Sequence, residues 1–493
     1  MPNQTEGPPI IVDDCPLSWP DQRRNLILFA ACTGMQYLAA PVLYVGITQA
    51  SLCNRLGADT RTANLPGTLY FAMTAMPALI AWLTPQVSAL KRNLTICYGS
   101  TAIMLALTAL ALALPVPNSI KLAMVILQGG VSGAVMPAAI AFLWEVIGRG
   151  SAESRRGLAL SLAFGVGPML AVLGSFAQSA LLGGTFFDWE FGGVEYPASF
   201  IILFGVGAPV IALAAGFSQF FIVPPVEREP EREPVAAVVG VLFGLPLMFA
   251  AVALMHIAGG TGQDSYRYFG YLAAAGATVG FVYHFRSILK QRVLLLATVV
   301  TILVYAGNMI PSNMNLYSPE VLGDLPEKFA GLQNTLRFSF KVVAGLFLGW
   351  LLTRTNPRAG ILATSSIFLA AQMWAMLVTG KWYLVAFGIY GAGELVGVYA
   401  PNYIVSASRR DDLRRNLAFM TMLMAPAAPA GYLYGAVVDL VKSRGWTAFG
   451  LSSAALGFRL SFLVCALFIA SGIAVACLWL PKRPRPEGLG NES

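Results

Sequence analysis

The chain has 493 residues, 57% of them hydrophobic and only 11% charged, with a formal net charge of +8. Soluble domains carry about 25% charged residues because their surfaces meet water. This composition therefore excludes a soluble enzyme or a soluble basic nucleic-acid-binding domain, and it describes a surface that meets lipid.

Residues 1–22 are polar and acidic (Glu6, Asp13, Asp14) and hold no short apolar core before a small-residue cleavage site, so no cleavable signal is expected. The first long apolar run follows Arg23 and Arg24. A helix of roughly 20 apolar residues crosses a ~30 Å hydrocarbon core, and lipid excludes open sheet edges. Helical spans are expected near 25–49, 65–87, 93–114, 119–145, 157–182, 199–223, 235–257, 268–285, 292–317, 330–352, 359–379, 382–405, 416–440 and 457–480. Between the sixth and seventh, residues 224–234 read Pro-Pro-Val-Glu-Arg-Glu-Pro-Glu-Arg-Glu-Pro, which is too polar to span and too proline-rich for a regular helix.

The expected organisation is a tail (1–24), a six-helix bundle (25–223), a solvated linker (224–234), a transmembrane hairpin (235–291), a second six-helix bundle (292–480) and a tail (481–493). With the amino terminus placed inside, 21 of the 32 lysines and arginines fall in inside segments and 9 in outside ones. Cytoplasmic loops accumulate such residues, so both ends are expected in the cytoplasm of an inner-membrane, multi-pass protein. The net positive charge then belongs to a cytoplasmic rim beside anionic lipid. The six cysteines (15, 32, 53, 97, 465 and 477) are scattered without metal-ligand spacing and read as packing residues.

An internal repeat supports the two-bundle reading. Ala63–Phe71 (ANLPGTLYF) agrees with Ala330–Phe338 (AGLQNTLRF) at five of nine positions, and Trp82-Leu83 recurs as Trp350-Leu351. Arg155-Arg156-Gly157-Leu158-Ala159 is echoed by Arg414-Arg415-Asn416-Leu417-Ala418, with Pro168 and Pro426 downstream. Two parallel six-span repeats joined by a cytoplasmic linker resemble the major facilitator superfamily, and an added central hairpin is similar to its fourteen-span branches. The resemblance implies an all-α membrane protein of two parallel six-helix bundles plus a central two-helix hairpin. Its motifs are partly kept. Ala81–Arg92 retains the basic end of the loop after the second helix without its glycine and acid, and Gly349–Arg358 retains glycine and arginines. Glu145 followed by Arg155-Arg156-Gly157 is similar to the family's acid-then-arginine-glycine pattern. Gly165-Val166-Gly167-Pro168, with Gly157 and Gly174, resembles in part the fifth-helix motif of antiporters. On this resemblance Glu145, Arg155, Arg156, Arg354 and Arg358 are candidate gating residues.

Ionisable groups inside a span cost about 2.5–3.5 kcal/mol on insertion scales and mark pathways or pairs. Arg337 and Lys341 sit at i and i+4 on one helical face, and Glu394 lies at a depth comparable to Lys341 in another inward-running span. The cations suit an anionic group on a solute, and Glu394 suits charge balance or proton uptake; a static salt bridge is the other reading. The repeat mates of Arg337 and Lys341 are the uncharged Tyr70 and Thr74. Further polar candidates are Tyr305, Asn308 and Asn313 (with Asn315) around Pro311, and Gln36 and Tyr37 before Pro41, where broken helices expose carbonyls; Tyr390 and Asn402 follow, with Gln128, Tyr399 and Tyr403. Amides gluing helices together is the rival reading. Gly129, Gly130 and Gly133 suit close helix packing. His256 and His284 form no metal motif, and P-loop, HExxH and GxSxG signatures are absent.

The expected function is secondary transport of a small organic solute by alternating access, with proton coupling through Glu394, without cofactor or metal and with membrane lipids, but no nucleic acid, as partners. Two rivals stay open: a transporter-derived receptor or scaffold without turnover, and a lipid-handling protein with an apolar lateral opening beside the cations.

Overall fold

The computed structural model describes residues 15–44, 46–152, 166–186, 189–407 and 422–484. They are almost wholly helical, and nine of the described helices are long and apolar enough to cross a membrane. The chain is a multi-pass integral membrane protein, and its helices follow the apolar runs.

The first half contributes α1 (Trp19–Leu38), α2 (Ala40–Leu43), α3 (Ile47–Arg55), α4 (Thr60–Ala72), α5 (Met76–Leu83), α6 (Leu90–Ala113), α7 (Asn118–Gly150), α8 (Gly167–Gln178) and α9 (Ala198–Ser218). A two-residue ribbon, β1 (Thr185–Phe186) with β2 (Trp189–Glu190), links the last two. Next come α10 (Val239–Thr261) and α11 (Asp264–Leu289). The second half contributes α12 (Arg292–Tyr305), α13 (Pro311–Leu316), α14 (Ser318–Leu322), α15 (Pro326–Arg354), α16 (Pro357–Leu377), α17 (Val385–Gly393), α18 (Val396–Ala407), α19 (Met424–Ala427), α20 (Pro429–Arg444) and α21 (Ser453–Trp479).

Proline places the main breaks. A proline cannot donate the i→i−4 hydrogen bond, but it is tolerated in a helix's first turn. Pro41 accordingly stands in the first turn of α2 and Pro311 in that of α13, each after a helix that has just ended. The two broken segments meet. Gly46 adopts φ +148°, which a side chain would rarely allow, and its carbonyl accepts a hydrogen bond from Ser312 Oγ at 3.3 Å. The helix expected at 119–145 extends to 33 residues, Asn118–Gly150, because Pro137 stays inside it. The expected starts of the spans at 157 and 416 lie outside the described residues.

Small residues set the helix spacing. A Cβ on Gly129 or Gly133 would overlap the backbone of Pro66 or Tyr70, so α7 packs backbone-to-backbone on α4. Pro224–Pro234 lies along the first half: Glu229 accepts the amides of Val87 (2.6 Å) and Ser88 (3.1 Å), and Trp82 Nε1 donates to Glu233 O at 2.7 Å. Cys32, Cys53, Cys97 and Cys465 are buried and unbridged.

Candidate functional site

Glycine brings the charged residues together. A Cβ on Gly391 would overlap the Arg337 carbonyl, and one on Gly388 would press into the Phe340 ring, so α17 lies directly against α15. Glu394, just past the end of α17, meets Arg337 in a two-pronged pair. Arg337 Nε donates to Glu394 Oε2 at 2.8 Å, and Nη2 donates to Oε1. Lys341 Nζ stands 3.4 Å from Oε2. Sequence depth matched Lys341 with Glu394; in the fold Arg337 is the main partner, because its planar fork fits both carboxylate oxygens.

Arg337 is 4% exposed. The side chains of Glu394 and Lys341 are 10% and 25% exposed. Two cations face one carboxylate, which leaves a net positive charge inside the bundle. Arg337 Nη1 and Asn308 Oδ1 are both buried without a hydrogen-bond partner. Tyr390 ties these groups together: its hydroxyl donates to the Asn308 carbonyl at 3.2 Å, and the Arg337 guanidinium lies 5.4 Å from its ring centre. Phe338 provides a second ring at 5.5 Å.

The first half faces this cluster with neutral aromatics. Tyr44 packs its ring 5.9 Å from Phe338 and 6.0 Å from Tyr37. Tyr44 and Tyr70 lie within electrostatic reach of Arg337, and Tyr37 within that of Glu394. Tyr70 occupies the position that the sequence repeat matches to Arg337. Tyr44 and Phe338 were missed as site residues in the sequence. The seven-residue step from Tyr37 to Tyr44, two helical turns, was the available signal.

Other candidates fall elsewhere. Gln36 donates to the Tyr98 hydroxyl inside the first bundle. Asn313 joins the halves: it accepts from Asn64 Nδ2 at 2.7 Å and donates to Ser461 Oγ at 2.9 Å. Tyr305 is buried in the second bundle. Asn402 is half-buried on α18, and its carbonyl accepts from Ser406. Glu145 pairs with Arg149, one turn away on its own helix, at 2.7 Å; Arg155 and Arg156 lie outside the described residues. Arg358 donates to the carbonyls of Leu480 (2.8 Å) and Cys477 (3.4 Å), which anchors α16 to the end of α21. Arg354 closes α15.

On the face opposite the described chain ends, a polar seam joins the halves. Ser51 Oγ donates to Asn315 Oδ1 (2.7 Å), Asn334 Nδ2 to Gln178 Oε1 (3.0 Å) and Gln178 Nε2 to Thr48 Oγ1 (2.8 Å). These residues are buried. Ion pairs Arg55–Glu327 (3.4 Å) and Arg61–Asp439 (3.2 Å) flank them. Burial pushes the Glu327 carboxyl up, against the pull of Arg55. For Asp59, which caps α4, burial also works upward, but hydrogen bonds from Thr62 and Arg61 outweigh it and hold the carboxyl below its usual range. A cavity of about 540 Å³ lies on this face, lined by Arg55, Tyr196, Glu327 and Lys328 among others, and one of about 470 Å³ lies beside α10 and α11; neither is lined by Arg337, Lys341 or Glu394.

The arrangement of helices is similar to that of several solved transporters. A variant of the nucleoside transporter NupG superposes with TM-score 0.59 and 12% identity, covering 92% of this chain and 99% of that one. An auto-inhibited POT family peptide transporter gives 0.61 and 13%, covering 94% and 98%. A POT family transporter in complex with 5-aminolevulinic acid gives 0.59 and 15%, covering 92% and 95%. These identities carry the fold. No family model and no curated protein matches the chain in sequence.

Proposed function

We propose that the chain is a secondary active transporter that carries a small organic solute bearing an anionic group by alternating access. In this reading fourteen spans form two six-helix bundles (25–223 and 292–480) with α10 and α11 as an added transmembrane hairpin, and both chain ends lie in the cytoplasm of an inner membrane. The observation that carries the proposal is the Arg337–Glu394–Lys341 cluster, set between halves and faced by Tyr37, Tyr44 and Tyr70.

The chemistry follows from the charge imbalance. A net positive site in low dielectric favours an incoming anion. The unpartnered Arg337 Nη1 is a donor for it, and the unpartnered Asn308 Oδ1 accepts a donor from the same solute. Binding to Arg337 competes with Glu394. A carboxylate released from its arginine is the group that takes up a proton, which couples solute to proton movement. Two of the similar structures are complexes with 5-aminolevulinic acid and with sulfate, ligands that each carry an anionic group. The seam of Ser51, Asn64, Asn313 and Asn315 acts as the closed outer gate, so the described conformation is shut toward the outside. The apolar cavity of about 470 Å³ lacks Arg337, Lys341 and Glu394, which speaks against a lipid path beside the cations.

Reconstitution in proteoliposomes tests this reading. Wild-type protein is expected to exchange an anionic solute in counterflow and to accumulate it under a pH gradient. Glu394→Gln is expected to keep counterflow and lose accumulation. Unchanged proton dependence in that variant removes Glu394 as the carrier, and absence of any counterflow by the folded wild type removes the transport reading.

A further inference from the structure

Where α10 and α11 stand off from the second bundle, they leave a lateral groove of about 470 Å³. Met248 and Ala251 of α10, Phe281 and Phe285 of α11, Ile302 of α12 and Pro426 of α19 form its walls. Phe281 and Phe285 lie parallel, with 5° between their planes, and make one wall flat. The hydroxyls of Thr278 and Thr298 donate back to their own helices, to Ala274 O (2.9 Å) and Leu294 O (2.8 Å). The walls therefore offer a water molecule too few partners to hold it, while hydrocarbon fits them.

One end of the groove is strongly basic. α11 and α12 are joined by a short turn, and Arg286, Lys290 and Arg292 gather there within seven residues of chain, all exposed. Arg286 lies over the Tyr283 ring at 4.1 Å. Among the described residues no carboxylate pairs with these three cations. The distribution of lysine and arginine assigns this end to the cytoplasmic side.

We propose that the groove and its basic rim form a binding site for one anionic phospholipid of the cytoplasmic leaflet, with an acyl chain along the Phe281–Phe285 wall and the phosphate against Arg286, Lys290 and Arg292. The apolar length selects a lipid over a soluble phosphate. The unpaired cations select an anionic head group, since each basic residue near such a surface contributes about 1 kcal/mol. The site is separate from the Arg337 cluster and does not depend on what the protein transports.

Native mass spectrometry of the full-length, delipidated protein tests the site by adding back phosphatidylglycerol or phosphatidylcholine. One phosphatidylglycerol is expected to be retained in preference to phosphatidylcholine. The triple variant Arg286→Gln, Lys290→Gln, Arg292→Gln is expected to lose that preference by roughly tenfold or more, whereas exchanging lysine for arginine at the same positions keeps it. Ala274→Phe, at an exposed wall position, is expected to weaken retention of both lipids by obstructing the groove. Glycerol 3-phosphate, which has no chain, is expected not to compete. Undiminished preference in the glutamine variant, unchanged retention in Ala274→Phe, or full competition by glycerol 3-phosphate each overturns the proposal.

Discussion

Two helices that share a sequence pattern, α4 and α15, carry different side chains at the matched positions. Where the second copy carries Arg337 and Lys341, the first carries Tyr70 and Thr74. Both copies pack closely on a neighbour through glycine: Gly133 lies against Tyr70, and Gly391 against Arg337. The scaffold is thus repeated, while the charge is not. Here two cations face Glu394 alone. On the duplication reading, the repeat supplies the frame, and the departure from it coincides with the proposed solute site.

The asymmetry can be broken directly. Arg337→Met leaves Glu394 with only Lys341, and removing one partner of a buried pair costs about 3–5 kcal/mol. A large drop in thermal stability in detergent is expected, with loss of solute affinity. The double variant Arg337→Met, Glu394→Met is expected to recover part of the stability, because the one charge left without its partner, Lys341, is partly exposed, while affinity stays lost. If the double variant is as unstable as the single one, the pair is not the source of the effect.

The matched packing is probed by Gly391→Ala. Its methyl group meets the Arg337 carbonyl, and overpacking costs about 1–3 kcal/mol. Lower stability together with weaker solute binding is expected, since α17 must move from α15 and take Glu394 with it. Weaker stability with unaltered binding would separate the glycine contact from the site.

The outer seam is neutral where the centre is charged, so single substitutions there should cost less. Interhelical hydrogen bonds contribute about 0.6–1.7 kcal/mol. Asn313→Leu removes the hydrogen bonds to Asn64 and Ser461 and is expected to favour opening of that face. Native Cys53, buried on α3, reports this: with the other cysteines replaced, its labelling by an impermeant thiol reagent should rise several-fold. Labelling unchanged from wild type would remove the seam as a gate.

The smallest effect lies at the far end of α4. Asp59→Ala removes a helix cap worth about 1 kcal/mol. The folded Asp59 carboxyl is held below its ordinary range, so its contribution is present above the unfolded value and vanishes as pH falls through the folded one. The stability gap between wild type and variant is therefore expected near neutral pH and should close on acidification below about pH 4. A gap independent of pH would mean that the carboxylate's charge has no part in the cap.

Much of this was legible in the chain itself. Apolar run length fixed where helices can cross lipid, Pro41 and Pro311 fixed where two of them break, and the cost of charge in a membrane singled out Arg337, Lys341 and Glu394. Periodicity and desolvation act on neighbours in sequence, so they can be read in one dimension. What only the folded chain decided was which groups meet across the halves: Arg337 rather than Lys341 as the principal partner of Glu394, Tyr37, Tyr44 and Tyr70 as the facing wall, Gln36 turned away to Tyr98, and Asn313 bound to Asn64 and Ser461. Those pairings join residues from different helices, and side-chain direction and glycine-set backbone spacing determine them only once the bundles have packed.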